Sequence, residues 1–168
     1  VYRAEFELEL LRGKLRDEEG DYDAALAAYT RARTLADLLE DDALRAQAER
    51  WLATIYGRRE QLAEAVQHAT QSISIYERIG DRLNLEQMRS NLASIYVQTR
   101  EFQAAIAVGV PAYAFFLAVK DMLYASGTAA NLAEASYNLG DLDAAVRYAS
   151  EVLEMKQPFT MPYARFTL

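Results

Sequence analysis

The 168-residue chain contains no cysteine, which excludes disulfides, thiolate metal sites and cysteine nucleophiles. It has one histidine, His68 in the run Gln67-His68-Ala69. Without a second histidine or a thiol, that residue cannot head a common transition-metal site, and its polar neighbours suggest a solvent-facing position on a helix. Three prolines and seven glycines are few for this length. Gly127 and Gly140 stand alone, neither followed by the Lys-Ser or Lys-Thr pair of a phosphate-binding loop. No apolar run approaches the roughly 18 to 20 residues needed to cross a bilayer. The start, Val1-Tyr2-Arg3-Ala4-Glu5, has the pattern of neither a signal nor a transit peptide. The expected location is therefore cytoplasmic, without a membrane partner. Positive charge is also in short supply: 18 Lys and Arg against 25 Asp and Glu leave a net charge of −7. That balance argues against direct nucleic-acid binding, where affinity comes mainly from cations that release counterions from phosphates. The densest carboxylate cluster, Glu40-Asp41-Asp42, lacks the spaced ligands and central glycine of a calcium loop and reads as a solvated helix junction. No catalytic constellation emerges, and the expectation is a noncatalytic protein with no cofactor and no metal.

What the chain does have is a beat of forty residues. Ala25, Ala65, Ala105 and Ala145 recur in matching frames, Tyr22-Asp23-Ala24-Ala25-Leu26, Leu62-Ala63-Glu64-Ala65-Val66, Phe102-Gln103-Ala104-Ala105-Ile106 and Leu142-Asp143-Ala144-Ala145-Val146. Equal spacing of this kind marks stacked supersecondary units. Inside each unit apolar residues fall at helical spacing around one polar break: Leu52, Ile55 and Tyr56, then a break at 57–61, then Leu62, Ala65, Val66 and Ala69. The pattern repeats with Leu92, Ile95 and Tyr96 before Phe102, and with Leu132, Ala135 and Tyr137 before Leu142. Gly20-Asp21, Gly80-Asp81 and Gly140-Asp141 set a residue tolerant of positive φ at one helix end and a carboxylate at the next helix start. Lys120-Asp121 has the Asp alone. Helices are predicted over 2–18, 22–39, 43–57, 61–79, 82–98, 101–119, 122–138 and 142–156. Pro111, within Gly109-Val110-Pro111, predicts a kink near 107–111. The aromatic group after it, Tyr113, Phe115 and Phe116 with Leu117, either packs into a neighbouring repeat or forms a contact patch.

Leu92-Ala93 followed by Tyr96, Phe102, Ala105 and Ala112 resembles the tetratricopeptide repeat, as does Leu52-Ala53 with Tyr56, Leu62, Ala65 and Ser72. The fourth unit departs at Ser136, and the first with Arg12-Gly13 and Arg16. The resemblance implies an all-α, right-handed superhelix of about four helical hairpins plus the start of a fifth. Its repeats would lie near 2–40, 41–80, 81–120 and 121–157 of a single domain. The forty-residue period exceeds the usual period of about 34, so each helix is longer by roughly three residues. This longer form is similar to repeats in kinesin light chains, in cell-polarity adaptors and in sensor arms of large bacterial signal-transduction ATPases that regulate transcription. A fifth repeat cut short at 158–168, with Phe159, Phe166 and Leu168 left uncovered, reads as a piece excised from a larger protein.

The family resemblance also places a concave groove on the first helix of each hairpin. Gln47, Arg50, Trp51, Thr54 and Arg58 would line it in the second unit, and Gln87, Ser90, Asn91, Ser94 and Gln98 in the third. Ala130, Asn131, Glu134 and Asn138 would do so in the fourth. Asn91 and Asn131 occupy the same place in successive repeats, where an amide can both donate to a peptide carbonyl and accept from its N–H. Alternatively they cap or bridge helices internally. Trp51 either supplies a ligand-binding ring or packs between the first two units. Arg50, Arg58 and Arg59 either meet an anionic ligand or pair with nearby Glu49, Glu60 or Glu64 as surface ions. The partner implied is a protein or peptide segment, alongside other domains of a parent protein. The functional expectation is a binding scaffold, as the sensor arm of a bacterial regulator. Against it stand an architectural spacer, an oligomerisation module acting through exposed ends, and a cargo-adaptor-like domain.

Overall fold

The computed structural model describes residues 1–155, and the suggested fifth repeat lies outside them. Eight helices follow one another: α1 (Tyr2–Glu18), α2 (Tyr22–Leu38), α3 (Asp42–Arg58), α4 (Leu62–Ile79), α5 (Arg82–Gln98), α6 (Phe102–Ala118), α7 (Met122–Leu139) and α8 (Leu142–Glu154). There is no strand among the described residues. The chain divides into two compact units, Val1–Met88 and one beginning at Arg89, with the boundary inside α5.

The helix junctions obey a twenty-residue beat, half the repeat. At each one a residue adopts left-handed backbone geometry: Gly20, Gly80 and Gly140 at φ 79°, 74° and 83°, but also Glu40, Glu60, Arg100 and Lys120 at φ 52°, 59°, 63° and 59°. The next amide then reaches back to a carbonyl five residues earlier, from Asp21 to Arg16 at 2.8 Å through to Asp141 to Ser136 at 3.0 Å. This closes each helix by satisfying a carbonyl that its own hydrogen-bond ladder leaves open. The following residue caps the next helix. Asp21, Asp41, Asp81, Asp121 and Asp141 each accept the amide three residues on at 3.0–3.2 Å. Four junctions therefore hold a side chain where its Cβ is crowded. Replacing Glu40, Glu60 or Lys120 by glycine is expected to stabilise the fold by about 0.5–1 kcal/mol each, net of the entropy glycine adds to the unfolded chain. Thermal unfolding of the three single variants checks this, and a fall in Tm in all three would contradict it.

The four beat-keeping alanines pack at the helix crossings, Ala25, Ala65 and Ala105 at 0% exposure and Ala145 at 8%. Small side chains at these points let helix axes approach, and larger residues fill the remaining gaps. In the first unit Phe6, Leu10, Tyr29, Leu52 and Ile55 form one cluster, and Ala46, Ile75, Tyr76 and Leu85 another. In the second unit Phe116, Ala125, Leu132, Ala133, Tyr148 and Val152 make the main cluster. Each large apolar side chain buried this fully contributes about 1.5–3 kcal/mol.

Pro111 lies inside α6, which continues as one helix from Phe102 to Ala118. The bond it forgoes belongs to the carbonyl of Ala107, an exposed residue, so water can take the place of the missing donor. The aromatics beyond it pack mostly inward. Phe116 is at 0% exposure and Tyr113 at 8%, with the Tyr113 hydroxyl donating to Glu151 at 2.6 Å and its ring edge-on to Tyr148. Leu117 remains exposed. Among the described residues no helix is long and apolar enough to cross a membrane.

Candidate functional site

In the second unit the faces of α5 and α7 frame an open pocket of about 340 Å³. Helical spacing brings Ser94, Val97 and Gln98 to it from α5, and Asn131, Glu134 and Asn138 from α7, while Arg100 and Phe102 close it from the turn into α6. Five of these eight residues were expected at the groove from the sequence. Val97, Arg100 and Phe102 were not: Phe102, from the apolar stripe of α6, packs beside Val97, Ala105 and Ala135 and also borders the pocket, and Arg100 is carried in by its left-handed turn.

The polar groups of this pocket differ in how occupied they are. The Asn138 amide donates to the Glu134 main-chain oxygen at 2.9 Å, and Gln98 reaches the Ser94 carbonyl at 3.4 Å. Asn91 and Asn131 are half-buried, and neither side chain has a hydrogen bond among the described residues. The Glu134 carboxylate is also half-buried and has no ion pair among the described residues, and burial raises it above the ordinary carboxyl range. Ser90 departs from its expected place at the groove. It is 6% exposed, and its hydroxyl lies 2.6 Å from that of Thr128, sealed between α5 and α7.

On the first unit the corresponding face is occupied by its own side chains. The Trp51 ring stacks on Tyr29 at 5.7 Å between centroids, with Lys14 Nζ 4.9 Å and the Arg50 guanidinium 5.4 Å from it. That is the packing role rather than a free aromatic surface. Arg50 donates to Asn84 at 3.1 Å and Gln87 at 3.2 Å, tying α3 to the start of α5. Thr54 donates to the Arg50 carbonyl at 3.1 Å, and Gln47 is half-buried beside them. Arg58 pairs with the buried carboxylate of Asp17 at 3.1 Å, in contact distance but without hydrogen-bond alignment. Arg59 pairs with Asp23 and donates to Gln61 at 2.7 Å. Arg58 and Arg59 thus reach back to the preceding hairpin and Arg50 forward to α5, not to Glu49, Glu60 or Glu64 as their sequence proximity suggested. A depression of about 400 Å³ beside Gly20 and Tyr22 has its Asp23 and Arg59 charges paired with each other.

His68 also corrects its sequence reading. Its side chain is only 12% exposed and stacks on Tyr56 with centroids 5.1 Å apart. Nδ1 lies 2.5 Å from Glu49, a carboxylate buried to 1%. With its amide nitrogen turned inward, Gln71 donates to the same carboxylate at 2.9 and 3.3 Å, and Arg33 stands 4.0 Å away. Sequence alone placed Glu49 among available surface acids, and the forty-residue beat held the missing signal: Glu9 occupies the same repeat position and is itself clamped by Arg12 and Arg31 at 2.8 and 2.9 Å.

Paired helices and αL-capped turns define a helical-hairpin repeat protein. Tetratricopeptide-repeat models match residues 44–116 and 127–157, together more than half of the chain, which belongs to that family. Solved structures agree on the fold. BtubC (BKLC) from P. vanneervenii superposes with a TM-score of 0.79 at 23% identity, covering 93% of this chain and 64% of that one. A Rap protein in complex with competence and sporulation factor gives 0.75 at 18%, covering 90% and 43%. A putative kinesin light chain repeat protein from Podosopora anserina gives 0.72 at 16%, covering 92% and 74%. The chain thus spans less than two thirds of the length of the first two. No curated protein sequence matches it. Tetratricopeptide repeats generally mediate protein–protein interaction, and such folds are typically noncatalytic scaffolds.

Proposed function

We propose that this chain is a noncatalytic binding scaffold whose second unit holds an extended peptide or protein segment against α5 and α7. The observation that carries the reading is the pair of unbonded, half-buried amides, Asn91 and Asn131, forty residues apart on equivalent helix faces. Their amide groups remain accessible, and a peptide backbone offers both the donor and the acceptor they can use. The bound segment would run past Ser94, Gln98 and Asn138. The first-unit residues Gln47, Arg50, Trp51, Thr54, Arg58 and Gln87 would shape that unit's face through packing.

In its finer form the proposal makes the four repeats, near 2–40, 41–80, 81–120 and 121–157, the sensor or interaction arm of a larger cytoplasmic bacterial regulator. Support comes from the forty-residue period and from the similarity to the Rap protein solved with competence and sporulation factor. Ligand binding there would act by differential affinity for two states of the parent protein.

A test is to select hexapeptides from a phage-displayed library against the purified chain and titrate the best one by calorimetry. Asn131→Ala and Asn91→Ala should each weaken binding about 3- to 10-fold, the scale of one or two lost hydrogen bonds, with Tm unchanged or slightly raised. Wild-type affinity in both variants would sink the backbone clamp.

A further inference from the structure

The pocket between α5 and α7 has an electrostatic character that the amides alone do not explain. Glu134 is the one carboxylate lining it, half-buried and without an ion pair among the described residues. Both helices that frame the pocket bring their C-terminal ends to it: Ser94 and Gln98 lie in the last turns of α5, and Glu134 and Asn138 in those of α7. Helix C-termini carry partial negative charge and favour cations, commonly a Lys or Arg in the last turn. Neither α5 nor α7 has one there. Residues 89–155 as a whole carry four Lys and Arg against seven Asp and Glu, so the surrounding field has the same sign. The opposing feature is Arg100 at the rim. Its guanidinium lies 5.7 Å from the Phe102 ring centroid and makes no ion pair among the described residues, Glu134 included.

We propose that this pocket takes the cationic side chain of an arginine or lysine in the bound segment, with Glu134 as its charge partner. The inference rests on the groove reading above and specifies what that groove selects. Asn131 holds the backbone of the segment, Glu134 receives the cation in the negative field of the α5 and α7 C-terminal ends, and Asn138 can accept a donor through its free oxygen. Burial of Glu134 without a compensating cation is a cost in the free protein, and a ligand cation removes it. Arg100, anchored over Phe102 at the rim, adds some local repulsion.

The experiment uses the 15N-labelled chain and three acetylated, amidated pentapeptides, Ala-Ala-Xaa-Ala-Ala, with arginine, citrulline or glutamate at the centre. Citrulline keeps the shape of arginine and removes its charge. The arginine peptide is expected to shift the Asn131 and Asn138 side-chain amide resonances and to bind about fivefold tighter than the citrulline peptide. Added salt should shrink that preference. Glu134→Gln should bring the arginine and citrulline peptides to equal affinity, and Arg100→Gln should raise affinity for the arginine peptide. Equal binding of the arginine and citrulline peptides would overturn the charge assignment and leave the peptide groove standing. Tighter binding of the glutamate peptide, lost in Arg100→Gln, would reverse the assignment in favour of an anion. If no peptide perturbs Asn131 or Asn138 up to millimolar concentrations, the groove reading falls and this inference with it.

Discussion

Gly13→Ala destabilises the first hairpin by about 1–3 kcal/mol, the range for forcing extra volume into a packed core. The sign is opposite to the usual rule, because alanine in a helix interior normally gains about 1 kcal/mol over glycine. The reason is the neighbour: a Cβ on Gly13 would lie 2.3 Å from Tyr29 Cε1 and 2.6 Å from Cδ1. Tyr29 is at 0% exposure, with Trp51 stacked on its ring, so it has little room to yield. On the forty-residue beat Gly13 matches Ala53, Ala93 and Ala133, while Tyr29 matches Ala69, Gly109 and Ala149. The first hairpin has therefore exchanged a pair of small residues for glycine opposite a ring. Tyr29→Ala alone should cost about 3–5 kcal/mol through the cavity it leaves. In the Tyr29→Ala background, Gly13→Ala should lose its penalty, since the double variant recreates the Ala53 and Ala69 pairing. Urea unfolding followed by the fluorescence of Trp51, the single tryptophan, reads this region directly. A Gly13→Ala variant more stable than wild type would refute the account. Gly109 offers an internal comparison. Its nearest neighbour is the flexible end of Leu132 at 2.9 Å, and Gly109→Ala should cost less.

The second large effect concerns the buried carboxylate of Glu49. His68→Leu is expected to cost about 3 kcal/mol, because removing one member of a buried polar pair leaves the other desolvated. Gln71 and the more distant Arg33 remain to it, so the loss should sit toward the low end of that behaviour. Glu49→Leu together with His68→Leu should be milder than His68→Leu alone, since the carboxylate that lost its partner is gone and apolar contacts replace it. Thermal unfolding of the two variants decides the matter. A double variant less stable than the single one would mean that His68 acts by packing against Tyr56, not by satisfying Glu49.

Legibility along the chain follows the range of the interactions involved. The helices were readable because the apolar spacing, the Gly-Asp junctions and the repeat period are local signals, and all eight observed spans lie within two residues of those expected. The glycine junctions at 20, 80 and 140 could be recognised from residue type. Glu40, Glu60 and Arg100 adopt the same left-handed geometry without a residue that prefers it, and the two-helix hairpin imposes it on them. Ser90 followed the groove spacing, yet Thr128, thirty-eight residues away, captures its hydroxyl. For Arg58 and Arg59, nearby acids in sequence were poor guides because helix direction points their side chains back to Asp17 and Asp23.

Periodicity alone was enough to specify paired helices, their lengths and the small residues at their crossings, since helix geometry converts sequence spacing directly into faces. Which polar groups are spent and which stay available depends on partners twenty to forty positions away, and those meet only when the hairpins pack. Packing engages Arg50, Trp51 and Arg58 on the first unit. Among the described residues it leaves the Asn91, Asn131 and Glu134 side chains without partners on the second. Hydrogen bonds and ion pairs form over a few ångströms of space, and no spacing along the chain records that distance.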